Sequence, residues 1–436
     1  MNIVMVTNTY LPHVGGVARS VDSFTAALRR RGHRVIVIAP TFPDTPADEP
    51  DVIRVPAIQR FNGSDFSVRL PVPSNVWSEM EAFGPQLVHT HHPFLLGDTA
   101  MRIAAWYNLP LVFTHHTMYE RYTHYVPGDS PQMRRFVIRL ATDFANLCDH
   151  VIAPSESIRA ILKQRGVEPA ISAIPTGIDP QRFAQGDGGA ARQRYAIPAD
   201  AFVVGHVGRL APEKNLAFLA RAVARFAATD ERAHFLVAGK GASEAEIRQA
   251  FDAAGLGDRL HLAGSLSGQA LADAYHAMDV FAFASQTETQ GMVLAEAMTA
   301  GVPVVAVDAA GAREVVRDGV NGRLLASESE PAFAAALAEL AAADATRRKE
   351  LASGARTAAE DFSLERCTER LEAVYRDLIA STTEARASRQ AGMASAEPAD
   401  NAWTRTLRLV EREWDLWEGR TEAAWQSLRG GEEPAG

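Results

Sequence analysis

The sequence is poor in cysteine and lysine and has no long apolar run. Two cysteines in 436 residues, Cys148 and Cys367, give no disulfide framework and too few thiolates for a cysteine zinc site. No stretch reaches the ~18 consecutive apolar residues of a membrane span. Positive charge is in deficit: 44 Lys and Arg face 53 Asp and Glu, a net charge of −9. The chain therefore has no global field for nucleic acid, and any phosphate site has to be local. Only four residues are lysine, Lys163, Lys214, Lys240 and Lys349, so a lysine kept inside a motif is informative. Met1-Asn2-Ile3-Val4-Met5 runs straight into a strand pattern, not a signal-peptide pattern. The expectation is a cytoplasmic protein, soluble or peripheral at the inner face of the cytoplasmic membrane.

What is present is ordinary globular composition, 47% hydrophobic and 22% charged, with length for two or three domains. Short apolar strands alternate with helical periodicity from Ile3 onward, and the alternation restarts at Ala201. This predicts an α/β chain of two doubly wound, Rossmann-like domains with ligands at the carboxyl ends of the strands. The divisions expected are 1–184, 185–363 after a Gly-rich linker at 185–189, a closing helix at 364–380, a flexible Ala/Ser/Thr-rich linker at 381–400, and a Trp-rich amphipathic helix at 401–436.

Chemistry-bearing residues gather in four places. In Gly205-His206-Val207-Gly208-Arg209-Leu210-Ala211-Pro212-Glu213-Lys214-Asn215 a strand ends in Gly-Arg and a loop brings Lys to a helix start. Two cations there suit a pyrophosphate; the alternative is a solvated surface loop. In Ser285 to Met298, Glu288 follows a strand, Gly291 opens a helix, and Glu296 sits on its second turn. Exposed amides favour an anion and carboxylates accept from sugar hydroxyls; the alternative is an acid pairing with the helix dipole. Gly15-Gly16 precedes the first helix and could equally be a tight turn. Last, His116 ends a strand, with His89, His91, His92 and His115 nearby.

The spacing of Glu288 and Glu296, the Gly-Arg-Leu-x-x-Glu-Lys-Asn stretch and Ile174-Pro175-Thr176-Gly177-Ile178-Asp179 resemble glycosyltransferase family 4. That resemblance implies a retaining enzyme of the GT-B fold, two Rossmann-like domains facing across a cleft, with a nucleotide sugar as donor. By it Arg209 and Lys214 hold the diphosphate, with Gly208 beside them. Glu288 meets the sugar hydroxyls and Glu296 the ribose. Gly291, Met292, Val293 and Leu294 offer amides. Gly239 and Leu266 lie near the base, without separating UDP from GDP. Gly15 and Gly16 form a loop approaching the phosphates, and His116 contacts the transferred sugar. The resemblance implies no metal and no cofactor; a histidine metal site is the rival, lacking carboxylate ligands.

The aromatic run from Tyr119 to Tyr125 resembles that of bacterial diacylglycerol α-glucosyltransferases. This implies a hexose, from UDP-glucose, passed to a lipid such as diacylglycerol. The alternatives are a mannosyl- or glucosyltransferase using GDP-mannose or a UDP-sugar on a soluble or polysaccharide acceptor, and an inactive nucleotide-sugar-binding protein. The basic amphipathic stretch Gln132–Cys148, with Arg134, Arg135 and Arg139 beside Phe136, Val137 and Leu140, would serve an anionic membrane or simply pack. In the tail Trp403, Leu407, Val410, Trp414, Trp417, Ala424 and Leu428 share one stripe. Four Arg against five acids between Trp403 and Leu428 argue for packing on the body or on a second subunit, as a homodimer, over membrane attraction.

Overall fold

The computed structural model describes residues 1–13, 15–46, 48–58, 68–69, 75–121, 130–392 and 402–428. The aromatic run beyond Arg121, and residues 393–400 of the expected linker, lie outside them. The chain forms two compact units, Met1–Thr176 together with Thr368 onward, and Gly177–Cys367.

In unit 1, strands β1 (Asn2–Val6), β2 (Arg34–Pro40), β3 (Val52–Val55), β6 (Leu87–Thr90), β7 (Leu111–Thr114), β8 (His150–Ala153) and β9 (Ala170–Ala173) form a sheet ordered β3-β2-β1-β6-β7-β8-β9. Two short strands, β4 (Ala57–Ile58) and β5 (Val68–Arg69), pair antiparallel as a separate sheet. Ile3, Val4, Met5 and Val6 are wholly buried, as a parallel strand covered on both faces requires. In unit 2, β10 (Phe202–Val207), β11 (Ala233–Ala238), β12 (Leu260–Gly264), β13 (Val280–Phe283), β14 (Val304–Val307) and β15 (Gly322–Leu325) are ordered β12-β11-β10-β13-β14-β15. Alternation along the strands splits the core in two: Val203, Phe281 and Val304 pack on one face, Val204, Val280 and Val305 on the other. Both sheets are doubly wound, as the sequence predicts. Their order reverses between β1 and β6 in one and between β10 and β13 in the other, and those are the points where such sheets bind ligands.

The division between units falls at Gly177 and Cys367, where the sequence suggests 185 and 363. Ile178 and Ser363 form a parallel bridge, with Ile178 N–H donating to Phe362 O (2.8 Å) and Leu364 N–H to Ile178 O (2.7 Å). Gly177 has φ +78°, and a Cβ there would come within 2.7 Å of Leu364 Cα, so only glycine fits this crossing. The stretch 185–189 is built into unit 2: Asp187 caps the helix Gly188–Arg194, and its N–H donates to Asp273 Oδ1 (2.8 Å).

The helix expected to stop at 380 runs from Leu364 to Gly392. Ala, Glu, Arg and Gln interspersed through 384–391 are good helix formers, and they outweigh the Ser and Thr that suggested a linker. Within unit 1 this helix is held by Glu372, whose side chain is 3% exposed and takes hydrogen bonds from Arg31 Nε (2.8 Å) and His33 Nε2 (2.7 Å). Burial raises the Glu372 carboxyl, but His33 and Arg31 more than offset this and leave it below its ordinary range. Removing one partner of such a pair strands the other. Glu372→Ala is expected to cost about 3 kcal/mol, measured by urea unfolding; a loss under ~0.5 kcal/mol would show that the contact holds nothing.

The C-terminal helix, Ala402–Leu428, packs on helices Leu96–Tyr107 and Pro131–Asn146. Arg420 holds Asp98 through both oxygens at 2.8 Å, Arg102 binds Glu413, and Arg408 Nε donates to Ala105 O (3.0 Å). Leu416 and Ala423 are buried, and Gly419 lies against Asp143. Of the stripe expected to pack on the body or on a second subunit, Leu407, Val410, Trp414 and Trp417 do not pack on the body and face solvent. Small residues at 419 and 423 let the opposite face approach closely, and charged pairs lock it there. This helix also covers part of the basic stretch, where Leu140, Asp143, Phe144 and Leu147 line the contact. Of its three arginines, Arg134 is exposed, Arg139 pairs with Asp143 at 2.9 Å, and Arg135 has its Nε enclosed. Among the described residues no helix is long and apolar enough to cross a membrane.

Candidate functional site

The residues singled out in the sequence lie at or beyond the carboxyl ends of the strands, one group in each unit; most follow the strands at the reversal points, while Gly239, Leu266 and His116 follow the neighbouring β11, β12 and β7. In unit 2, β10 ends at Val207 and the chain turns through Gly208 and the exposed Arg209 into a short 3-10 turn, Pro212–Lys214. The neighbouring β13 ends at Phe283, and the loop 284–291 leads into the helix Met292–Thr299. The two loops are laced together: Ser285 Oγ and Thr287 Oγ1 both donate to Glu213 O (3.4 and 3.3 Å). Across the lacing, Lys214 Nζ donates to Glu288 Oε2 at 2.5 Å. The lysine and the carboxylate expected at diphosphate and sugar are thus one ion pair here. Arg209 similarly holds Glu213 Oε1 at 2.5 Å.

Gly291 caps the 292–299 helix at φ +67°, and a Cβ there would lie 2.6 Å from Gly311 O, so glycine alone allows this entry. The Leu294 N–H turns back to Gly291 O (3.0 Å). The amides of Met292 and Val293 belong to the first helical turn, which has no acceptor four residues earlier. Glu296 is buried and accepts from Tyr275 Oη at 2.6 Å. Gly239 follows β11 with its N–H on Gly264 O (2.8 Å), and Leu266 is half-buried in the loop after β12. Tyr275 and Glu213 are partners that the sequence did not single out. Glu213 sits inside the motif, whereas Tyr275 lies on a separate helix, Gly268–His276, whose apolar pattern accounts for it fully.

In unit 1, the loop after β1 is pinned by Asn8, whose N–H donates to His92 Nδ1 (3.1 Å) and whose Nδ2 donates to Phe94 O (2.9 Å). Gly15 caps the helix Gly16–Arg30. His116, just beyond β7, shares a hydrogen bond with His91 (His116 Nε2 with His91 Nδ1, 2.9 Å), and the rings stack at 5.2 Å. His89 is used by Tyr375 Oη (2.5 Å) and Thr114 Oγ1 (2.6 Å). Among the described residues no group of three or more His, Cys, Asp and Glu is arranged to hold a metal ion.

Burial, and then the neighbouring histidines, push His91 and His116 well below the ordinary imidazole value. Burial takes His89 and His92 to about 3 and His115 to about 4. His116 is therefore a neutral hydrogen-bonding group near pH 7, not an imidazolium. Each histidine has a folded value below its unfolded one. Its contribution to stability is complete above the unfolded value and declines as pH falls below it, by about 1.4 kcal/mol per pH unit and residue. Unfolding is expected to take up several protons, so the thermal midpoint should drop steeply below pH ~6.5. A midpoint level from pH 7 to pH 5 would show these rings to be charged or open to water.

Comparison with known proteins bears on both units. Residues 14–182 match the family model described as Glycosyltransferase Family 4, and residues 189–358 match Glycosyl transferases group 1. A GDP-mannose-dependent alpha-mannosyltransferase of Mycobacterium tuberculosis is 31% identical over 338 residues, 74% of this chain and 84% of its own. An alpha-monoglucosyldiacylglycerol synthase of Streptococcus pneumoniae is 28% identical over 353 residues, 79% of each chain. Among solved structures, Anabaena Alr3699/HepE in complex with UDP superposes with a TM-score of 0.68 at 22% identity, covering 87% of this chain and 100% of its own, a likeness of fold. The fold is GT-B, and the chain belongs to glycosyltransferase family 4 and is a glycosyltransferase.

Proposed function

We propose that the protein transfers a hexose, with retention, from a nucleotide diphosphate sugar to a lipid acceptor such as diacylglycerol, UDP-glucose being the donor. The observation that carries the donor half is the Lys214–Glu288 pair, 2.5 Å long, at the reversal of the unit 2 sheet beside the Gly291 helix start. In this reading the diphosphate displaces Glu288 from Lys214, and the amides of Met292 and Val293 share its charge. The freed Glu288 accepts from the sugar hydroxyls, Glu296 from the ribose. The bond from the anomeric carbon to the diphosphate oxygen breaks, and the acceptor hydroxyl oxygen bonds to the same face. Its proton passes to the departing phosphate. Neutral His116 contributes a hydrogen bond to the transferred sugar.

The lipid acceptor is supported by the relatives that are glucosyldiacylglycerol synthases. The second reading, a mannosyltransferase, is supported by relatives named for GDP-mannose at 31% identity. A panel of UDP-glucose, UDP-galactose and GDP-mannose against diacylglycerol and soluble sugars, with products identified by mass spectrometry, decides between them. Glucosyldiacylglycerol from UDP-glucose is expected. Transfer of mannose to a soluble acceptor alone would replace this reading with the second. Turnover is expected to survive EDTA, since Lys214 and the helix start supply the positive charge. Loss with EDTA and recovery with magnesium would require a cation at the diphosphate.

A further inference from the structure

The C-terminal helix turns its most apolar face to solvent. Leu407, Val410, Trp414 and Trp417 are 49%, 57%, 71% and 65% exposed. They recur by alternating steps of three and four residues, and the sequence continues the same alternation from Trp403 through Thr421 and Ala424 to Leu428. A seam repeating every 3.5 residues is that of a helix packed along another helix; the stripe of a helix lying on a bilayer is broader. Charge argues against a bilayer. The arginines Arg408 and Arg420 are engaged with unit 1, while Glu411 and Glu418, next to Val410 and Trp417, are exposed. A membrane-surface helix places Lys and Arg beside its apolar face; this one places carboxylates there.

The four side chains leave on the order of 500 Å² of apolar surface open, near the upper end of what a monomer shows. Self-pairing would bury about 1,000 Å² from these four alone, the size at which specific interfaces begin. We propose that this seam pairs with the same seam of a second copy, a two-fold helix-to-helix contact centred on Trp414 and Trp417. It is independent of donor and acceptor, and its failure would leave the transferase reading untouched.

Sedimentation of the full chain from low to high micromolar concentration tests this. A reversible dimer is expected, with tryptophan emission shifting to the blue as the dimer forms. Trp414→Glu/Trp417→Glu should weaken association about 30-fold or more, with unchanged circular dichroism and unchanged turnover. Leu407→Lys/Val410→Lys should weaken it without touching a tryptophan. A wild-type chain that stays monomeric throughout overturns the proposal, as does a glutamate variant that dimerises like the wild type. Flotation with phosphatidylcholine vesicles, with and without phosphatidylglycerol, separates the remaining occupant. A monomeric wild type that floats through Trp414 and Trp417 would assign the stripe to a bilayer and also overturn the dimer.

Discussion

Lys214→Ala is expected to lower turnover by about 10²–10³ with the fold intact. The side chain is 18% exposed and its partner Glu288 27%, so both are accessible to a ligand yet shielded enough for charge to act strongly. In a chain that uses arginine almost everywhere, a compact ammonium at this point is a specific choice: it is a point charge that can leave one carboxylate for a diphosphate. Removing it takes away the cation where negative charge develops as the sugar departs, and it frees Glu288 to repel the phosphates. Glu288→Gln should therefore be damaging as well, and the double variant should cost much less than the product of the two single losses, because the residues act as one pair. Arg209 is 56% exposed and already bound to Glu213, so Arg209→Ala should cost nearer tenfold. The measurement is kcat at saturating donor, with circular dichroism as the control. Near-wild-type kcat in Lys214→Ala would take the lysine out of the site and weaken the donor assignment with it.

Those residues were legible because strand, loop and helix start follow one another in sequence there. Val280 to Phe283 is an unbroken apolar run and Val203 to Gly208 is interrupted only by the buried His206, and the chemistry sits in the few residues after each. What the sequence could not say is that the two loops adjoin, since β10 and β13 are neighbours only in the sheet order; the Lys214–Glu288 pair is a consequence of topology. The stripe of the C-terminal helix shows the opposite limit. Periodicity groups Leu407, Val410, Trp414 and Trp417 correctly on one face, but which face turns inward depends on partners far away in sequence. Asp98 for Arg420, Arg102 for Glu413 and the carbonyl of Ala105 for Arg408 decide it. The extended helix through Gly392 was hidden for a local reason: Ser and Thr near Ala and Glu have the composition of a linker and the propensity of a helix.

Glu296 gives the other large effect, on binding and not on turnover. Its carboxylate is 7% exposed and is held by the Tyr275 hydroxyl at 2.6 Å. A buried acceptor fixed in this way can meet a ribose hydroxyl without first being ordered, and a hydrogen bond to a charged group contributes about 1.5–3 kcal/mol. Glu296→Ala is therefore expected to weaken nucleotide binding roughly 10–100-fold. kcat at saturating donor should change much less, because the ribose is bound equally in ground and transition states. Tyr275→Phe keeps the carboxylate but removes its anchor, and should weaken binding only a few-fold. Titration calorimetry with the free nucleoside diphosphate reads both. Because the free nucleotide carries the ribose but not the transferred hexose, its affinity should fall as far as that of the full donor. If Glu296→Ala weakens only the sugar-bearing donor, the carboxylate serves the hexose; if it weakens neither, Glu296 is a structural partner of Tyr275. In the last case thermal unfolding should show the cost of a stranded buried hydroxyl, about 1–3 kcal/mol, with donor kinetics unchanged.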